Sequence, residues 1–276
     1  MKQEYLDILE NTYFAEAYAG RLNSDDMHAL LADWINEKTH GLLDKTADDF
    51  KGDGGVLWLL NSIYMKANWW SEFSSSKSEL PFTNASGALE QAIYIGNFFR
   101  DLYVDEFEDY KVVPFGLYGG LTFNVLLPEE GISYESLLGN EQCYRDLISR
   151  QGNKKEYKVH VEMPEFEAKA SYDLKKYAIS KGVVSPFDPI AADFSSMAYG
   201  AKDNELHIAK AMHEAGIGVD KSGIEAAAYT KIEMEVIPVT YEENPRLDVI
   251  LNRPFIYSIT DRNGLPLFIG NVNSVA

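Results

Sequence analysis

The chain of 276 residues has one cysteine, Cys143, which excludes an internal disulfide and says little about compartment. Cys143 reads as a core residue, with a reactive thiol as the alternative. Basic residues are few: 25 Lys and Arg against 43 Asp and Glu leave a formal net charge of −18. With no basic cluster, that balance excludes nucleic acids and other polyanions as partners. No apolar run approaches the roughly 18 residues of a membrane helix. Residues 1–20 carry acids throughout and lack an apolar central stretch, so they hold no signal peptide. Catalytic motifs are missing as well, with no G-x-S-x-G elbow, P-loop, HExxH or CxxC. The five histidines, His28, His40, His160, His207 and His213, show no ligand spacing, so neither metal nor cofactor is expected. Asp105-Glu-Phe-Glu-Asp109 reads as a solvated acidic turn rather than a cation site, and Gly52-Asp-Gly-Gly55 as a loop.

What remains is a chain that is 46% hydrophobic, enough for a large core. No low-complexity linker or internal repeat interrupts it, so residues 1–276 read as a single domain. Apolar residues at helical spacing mark residues 3–18, and Asn23-Ser-Asp-Asp opens a second helix running to about Lys38. Residues 57–65 read as a strand buried on both faces. Residues 88–99, 110–114 and 121–127 read as antiparallel strands, the last two flanking the turn Gly116-Leu-Tyr-Gly-Gly120. A helical patch follows at 133–150, then a strand at 157–169, a short helix at 172–181 and a strand at 206–219. Two terminal strands, 254–260 and 266–272, flank the turn Asp261-Arg-Asn-Gly264. This order implies an α+β fold with large antiparallel sheets.

Residues 223–237 are the most informative stretch. Ile224, Ala226, Ala228, Thr230, Ile232, Met234 and Val236 form one uncharged face, while Glu225, Ala227, Tyr229, Lys231, Glu233, Glu235 and Ile237 form the other. The run is longer than an ordinary strand of about 5–6 residues. Its first half is small and Ala-rich, which disfavours a permanent strand. Such a segment suits a loop that later becomes a strand, with an edge strand or a helix begun at Glu-Ala-Ala-Ala as alternatives. Gly223 supplies a pivot, and Pro238, Asn244 and Pro245 give a loop rather than a hairpin turn.

Four ordered segments resemble the serpin family. Val219-Asp-Lys-Ser-Gly-Ile-Glu-Ala-Ala-Ala-Tyr-Thr230 resembles the hinge of its reactive-centre loop, which would span about 221–246. Leu60-Asn-Ser-Ile-Tyr-Met-Lys-Ala-Asn-Trp-Trp-Ser-Glu-Phe73 resembles the family's Asn-x-Ile-Tyr-Phe-Lys-Gly-x-Trp signature. Met163-Pro-Glu-Phe166 with Tyr172-Asp-Leu174 and Gly182-Val183, and Asn252-Arg-Pro-Phe255 with Pro266-Leu-Phe-Ile-Gly-Asn-Val272, match two further signatures. The resemblance implies a serpin-like fold whose N-terminal helices and an edge strand are missing from this chain. That absence would leave the strand at 57–65 as a bare edge. It further implies a monomer, extracellular or at the cell surface, while the net charge of −18 and the lack of a basic cluster argue against the polyanion site of some relatives.

By resemblance, the chemistry belongs to a target serine protease that forms a covalent acyl-enzyme with the loop. The cleaved loop would insert into the main sheet and carry the protease with it. The implied hinge comprises Lys221, Gly223, Ile224, Glu225, Ala226, Ala227 and Ala228. Asn61 and His213 match the positions where the sheet parts, and Trp69 the tryptophan where insertion begins. Lys221 stands where inhibitory relatives carry glutamate, and Glu165 where they carry its lysine partner, which predicts a charge-swapped pair or two solvated charges. Counting along the loop from Gly223 puts the reactive bond at Ile237–Pro238. Cleavage before proline is poor, so bonds beside Val239, Thr240 and Tyr241 are alternatives. Two other functions stay open: a non-inhibitory binding protein of this fold, and an inactive fragment.

Overall fold

In the computed structural model, the described residues are 1–51, 57–76, 78–129, 131–198, 206–224 and 244–275. In chain order, helices α1 (Gln3–Tyr13) and α2 (Asp25–Lys38) precede strands β1 (Leu57–Ile63), β2 (Ala67–Asn68), β3 (Ser74–Ser75) and β4 (Leu80–Thr83). Strands β5 (Leu89–Ala92), β6 (Tyr94–Glu106), β7 (Tyr110–Leu117) and β8 (Leu121–Pro128) follow, then helices α3 (Tyr134–Leu138) and α4 (Glu141–Ser149). Strands β9 (Asn153–Pro164) and β10 (Phe166–Asp173) lead to helix α5 (Leu174–Ser180). Strands β11 (Ile208–Val219), β12 (Gly223–Ile224), β13 (Arg246–Ile250), β14 (Phe255–Thr260) and β15 (Pro266–Val272) complete the order. Among the described residues no helix is long and apolar enough to cross a membrane. The chain divides into two compact units, residues 1–64 with 169–216 and residues 65–168 with 217–276.

In the first unit, α1 ends earlier than its apolar spacing predicts because Phe14 turns left-handed at φ 51°. Helix α2 starts where Ser24 caps it, the hydroxyl accepting from Met27 N at 3.3 Å, with Asp25 and Asp26 at the positive end of the helix dipole. Its buried stripe of Met27, Leu31 and Ile35 packs with Phe50 and Trp58. Strand β1 pairs in parallel with β11 from Leu57↔Ile208 to Ile63↔Ala215. It is the end strand of its sheet, with one neighbour among the described residues. The expectation that residues 57–65 are buried on both faces is incorrect: Leu59 is 46% exposed on the same open face as the exposed Asn61, while Trp58 on the other face is buried.

The second unit holds a sheet ordered β13-β9-β6-β7-β8-β14-β15, with β3 also on β6. The β7–β8 hairpin closes at Leu117↔Leu121, and its turn uses Gly119 and Gly120 at φ 82° and 77°, where a side chain is strained. Ile95, Val113, Phe115, Phe123, Val159, Val161 and Ile259 form the centre of its core. Strand β6 departs from the sequence reading. A break at Ile93 separates it from β5, and it runs on to Glu106 beyond a bulge between Phe99 and Leu102. The acidic stretch Asp105–Asp109 is a solvated turn only in part: Glu108 and Asp109 are exposed between β6 and β7, but the first two residues belong to the strand. Asp105 is fully buried and ion-paired to Arg150 at 2.8 Å, and Glu106 accepts from the Tyr157 hydroxyl. Cys143 is buried beside Tyr110 and Leu147, and burial pushes its thiol pKa up, as befits a core residue. Among the described residues no group of three or more His, Cys, Asp or Glu is arranged to hold a metal. The glycine-rich stretch 52–55 lies outside the described residues.

Candidate functional site

In the second unit, the site is built on the turn that follows β11. Asp220 organises it. Its carboxylate accepts from Ser222 N at 2.6 Å and Gly223 N at 3.0 Å, and its backbone N–H donates to Gly223 O at 2.9 Å. The turn sends the chain back as β12, which pairs antiparallel on both sides. Ile224 faces Val219 on one side and Ala67 on the other, and Gly223 faces Asn68. Only glycine fits at 223. Its φ is +151°, and an added Cβ would lie 2.1 Å from Ala67 O. Ile224, the first residue of the uncharged alternating face, is fully buried, and hiding such a side chain contributes about 1.5–3 kcal/mol.

Trp69 locks this base. It is 1% exposed, its indole N–H donates to Asp220 O at 2.8 Å, and its backbone N–H donates to Ser222 O at 3.0 Å. Phe73 N donates to Lys221 O at 3.2 Å. Phe73 and Phe123 pack against the indole, with ring centroids at 4.9 and 5.5 Å. Burial of the large ring rests on these apolar contacts, while its one polar atom reaches the turn.

In the first unit, Asn61 and His213 come together. They are register partners across the β1–β11 seam, so their side chains share a face, and Asn61 Oδ1 lies 2.7 Å from His213 Nδ1. Tyr172 stacks on the imidazole at a centroid distance of 6.1 Å. Lys221 and Glu165 are not brought together. Lys221 is exposed, no ion pair joins it to Glu165, and Glu165 accepts instead from Ser75 Oγ at 3.2 Å. Of the two readings of the sequence, the charge-swapped pair is thus not formed and the two charges stand apart, while the turn is held by backbone bonds to Trp69 and Phe73. The hinge residues Glu225, Ala226, Ala227 and Ala228 and the candidate bond residues Ile237, Pro238, Val239, Thr240 and Tyr241 lie outside the described residues. Sequence reading missed Asp220, although an aspartate shortly before a glycine is a turn signal.

Comparison with known proteins gives one family throughout. A family model described as Serpin (serine protease inhibitor) matches residues 1–275. Serpin B7 of Homo sapiens is 25% identical, over 98% of this chain and 70% of its own length. An uncharacterized serpin-like protein of Thermococcus kodakarensis is 27% identical, over 99% of this chain and 62% of its own length. The thermophilic serpin tengpin in its native state superposes with a TM-score of 0.78 at 26% identity, covering 99% of this chain and 69% of that one. Thyroxine-binding globulin in complex with thyroxine shares the fold, with a TM-score of 0.73 at 20% identity, over 100% of this chain and 72% of that one. The chain thus spans only 62% to 70% of the length of these two curated relatives.

Proposed function

The chain belongs to the serpin family, and from that membership and the geometry of the loop base we propose that the full protein inhibits a serine protease as a suicide substrate. The protease cleaves the reactive-centre loop and forms an acyl-enzyme with it. The freed N-terminal half of the loop then enters the main sheet as a strand, and the protease is carried along and inactivated. The protein itself supplies mechanics and no catalytic group.

One observation carries this reading. Residues 223 and 224 already sit as a strand between Val219 and Ala67–Asn68, whereas residues 57–63 pair directly with β11. Insertion extends the first arrangement into the second. Each step exchanges a parallel pairing for two antiparallel ones, and parallel pairing is the slightly weaker of the two per residue. The uncharged face that begins at the buried Ile224 continues through Ala226, Ala228, Thr230, Ile232, Met234 and Val236, so no charge has to enter the sheet. Asn61 and His213 clasp the closed seam and must part as the strand passes. We propose that the reactive bond is Ile237–Pro238 or one of the bonds from Val239 to Glu242, and expect a monomer acting outside the cell.

Incubating the full protein with a panel of serine proteases tests the reading. The expected result is an SDS-resistant adduct at the summed mass, with peptide mapping locating the bond. Cleavage of the loop by every protease without any adduct refutes inhibition. It would favour a second reading, a non-inhibitory binding protein, which the fold shared with thyroxine-binding globulin supports.

A further inference from the structure

The turn between β14 and β15 joins two groups that can react with each other. Asn263–Gly264 is the one Asn-Gly pair in the sequence. Both residues are exposed, and nothing lies within 4 Å of where a Cβ on Gly264 would stand. The backbone nitrogen of Gly264 is therefore open on the side where other residues carry a Cβ. Attack of that nitrogen on Asn263 Cγ closes a cyclic imide. The new C–N bond replaces the bond to Nδ2, which leaves as ammonia with the proton that Gly264 N gives up. Water then opens the imide. Breaking the new C–N bond yields aspartate, and breaking the original peptide bond yields isoaspartate, with the chain running through the former side chain.

Asp261 decides how the turn bears on this reaction. Its Oδ1 accepts from Asn263 N and Leu265 N, each at 2.8 Å, and its Oδ2 accepts from Asn263 Nδ2 at 3.2 Å. Its carbonyl accepts from Gly264 N at 3.0 Å, and its own N–H donates to Leu265 O at 2.9 Å. The side-chain amide and the attacking nitrogen are thus both engaged with Asp261, and freeing them must precede attack. The Leu265 N–H also holds the Asp261 carboxyl below the usual carboxylate range, so it is charged at neutral pH.

The product fits the turn less well than the asparagine does. Exchange of NH2 for oxygen at position 263 removes the donor to Oδ2 and sets one carboxylate against another. Isoaspartate also adds a methylene to a backbone that has to close between Asp261 and Leu265. The turn leaves β14, whose residues Phe255–Thr260 are all buried, and enters β15 at the pair Thr260↔Pro266.

We propose that Asn263–Gly264 is a self-modifying site that deamidates spontaneously, with Asp261 restraining the reaction and the product loosening the β14–β15 turn irreversibly. The protein then carries a timer on its own stability that needs only water. This is independent of loop insertion.

Incubating the full protein for weeks in mildly alkaline buffer, with peptide mass mapping and enzymatic methylation of isoaspartate, tests the site. Asn263 should convert ahead of Asn23, Asn61 and Asn273, each of which precedes a serine. No conversion at residue 263, or conversion no faster than at those three, overturns the proposal. Asp261→Ala should convert on the order of tenfold faster. A rate equal to wild type overturns the restraint. Asn263→Asp stands in for the aspartate product, and amide hydrogen exchange at Leu265 should be faster in it than in wild type. Adding Asp261→Asn removes the facing charge and should slow that exchange back toward the wild-type rate. Unchanged exchange in Asn263→Asp overturns the loosening of the turn.

Discussion

Gly223 carries the most local constraint in the site. Its φ of +151° and the 2.1 Å approach of Ala67 O to the Cβ position leave no room for any side chain. Gly223→Ala is expected to cost at least about 1–3 kcal/mol in backbone strain alone. Urea unfolding followed by tryptophan fluorescence reads this directly, since Trp69 donates to the carbonyl of Asp220 in the same turn. An unchanged midpoint would mean that β12 does not pair as described. Asn61 and His213 form a second residue-scale test. A double-mutant cycle with Asn61→Ala and His213→Ala should give a coupling of about 0.5–1.5 kcal/mol, the net worth of one hydrogen bond. Lys221 and Glu165, which form no ion pair, should show almost none in the same experiment.

At the scale of elements, the proposed insertion would make the loop and the seam two halves of one reaction. The uncharged face of residues 224–236 has to match the sheet position by position. Ala228→Glu places an unpaired charge in that face, and its burial costs several kcal/mol. The variant should be cleaved at the wild-type rate yet form little adduct, because slow insertion gives the acyl-enzyme time to hydrolyse. The ratio of adduct to cleaved product measures this, and an unaltered ratio would show that residue 228 never enters the sheet. Legibility in the sequence also differs between elements. Helix α2 was readable to within a residue, with Ser24 or Asp25 as its cap, because Ser24, Asp25 and Asp26 announce its start and its apolar stripe has the helical period. Strand β15 was equally plain, starting at Pro266 after the turn Asp261–Gly264. The far end of β6 was hidden. Arg100, Asp101, Asp105 and Glu106 give it the look of a polar loop, and only the pairing of Leu102 to Glu106 with β9 makes it a strand. Asp105 is the sharpest case: a carboxylate becomes a core residue because Arg150, distant in sequence, arrives to neutralise it.

For the molecule as a whole, the central expectation is a change in stability on cleavage. If the cut loop inserts, the full protein with its loop nicked should melt well above the intact form, as differential scanning calorimetry would show. Insertion replaces one parallel seam by two antiparallel ones and buries the apolar face of residues 224–236. A nicked protein that melts no higher refutes insertion. On that reading, closure of the seam in the uncut protein stores this difference, with the Asn61–His213 contact formed across it.

Sequence alone determined the family resemblance, the α+β class, the first two helix starts and the uncharged alternation after Gly223. All of these depend on residues close together in the chain or on motifs whose order survives without coordinates. Tertiary structure alone decided the rest. It put Gly223 and Ile224 in register with Val219 and with Ala67–Asn68. It set Asn61 against His213 and Arg150 against Asp105, and it left Lys221 without Glu165. Those outcomes turn on distances between residues far apart in sequence, and the pairing register that sets such distances is a property of the whole sheet rather than of either strand.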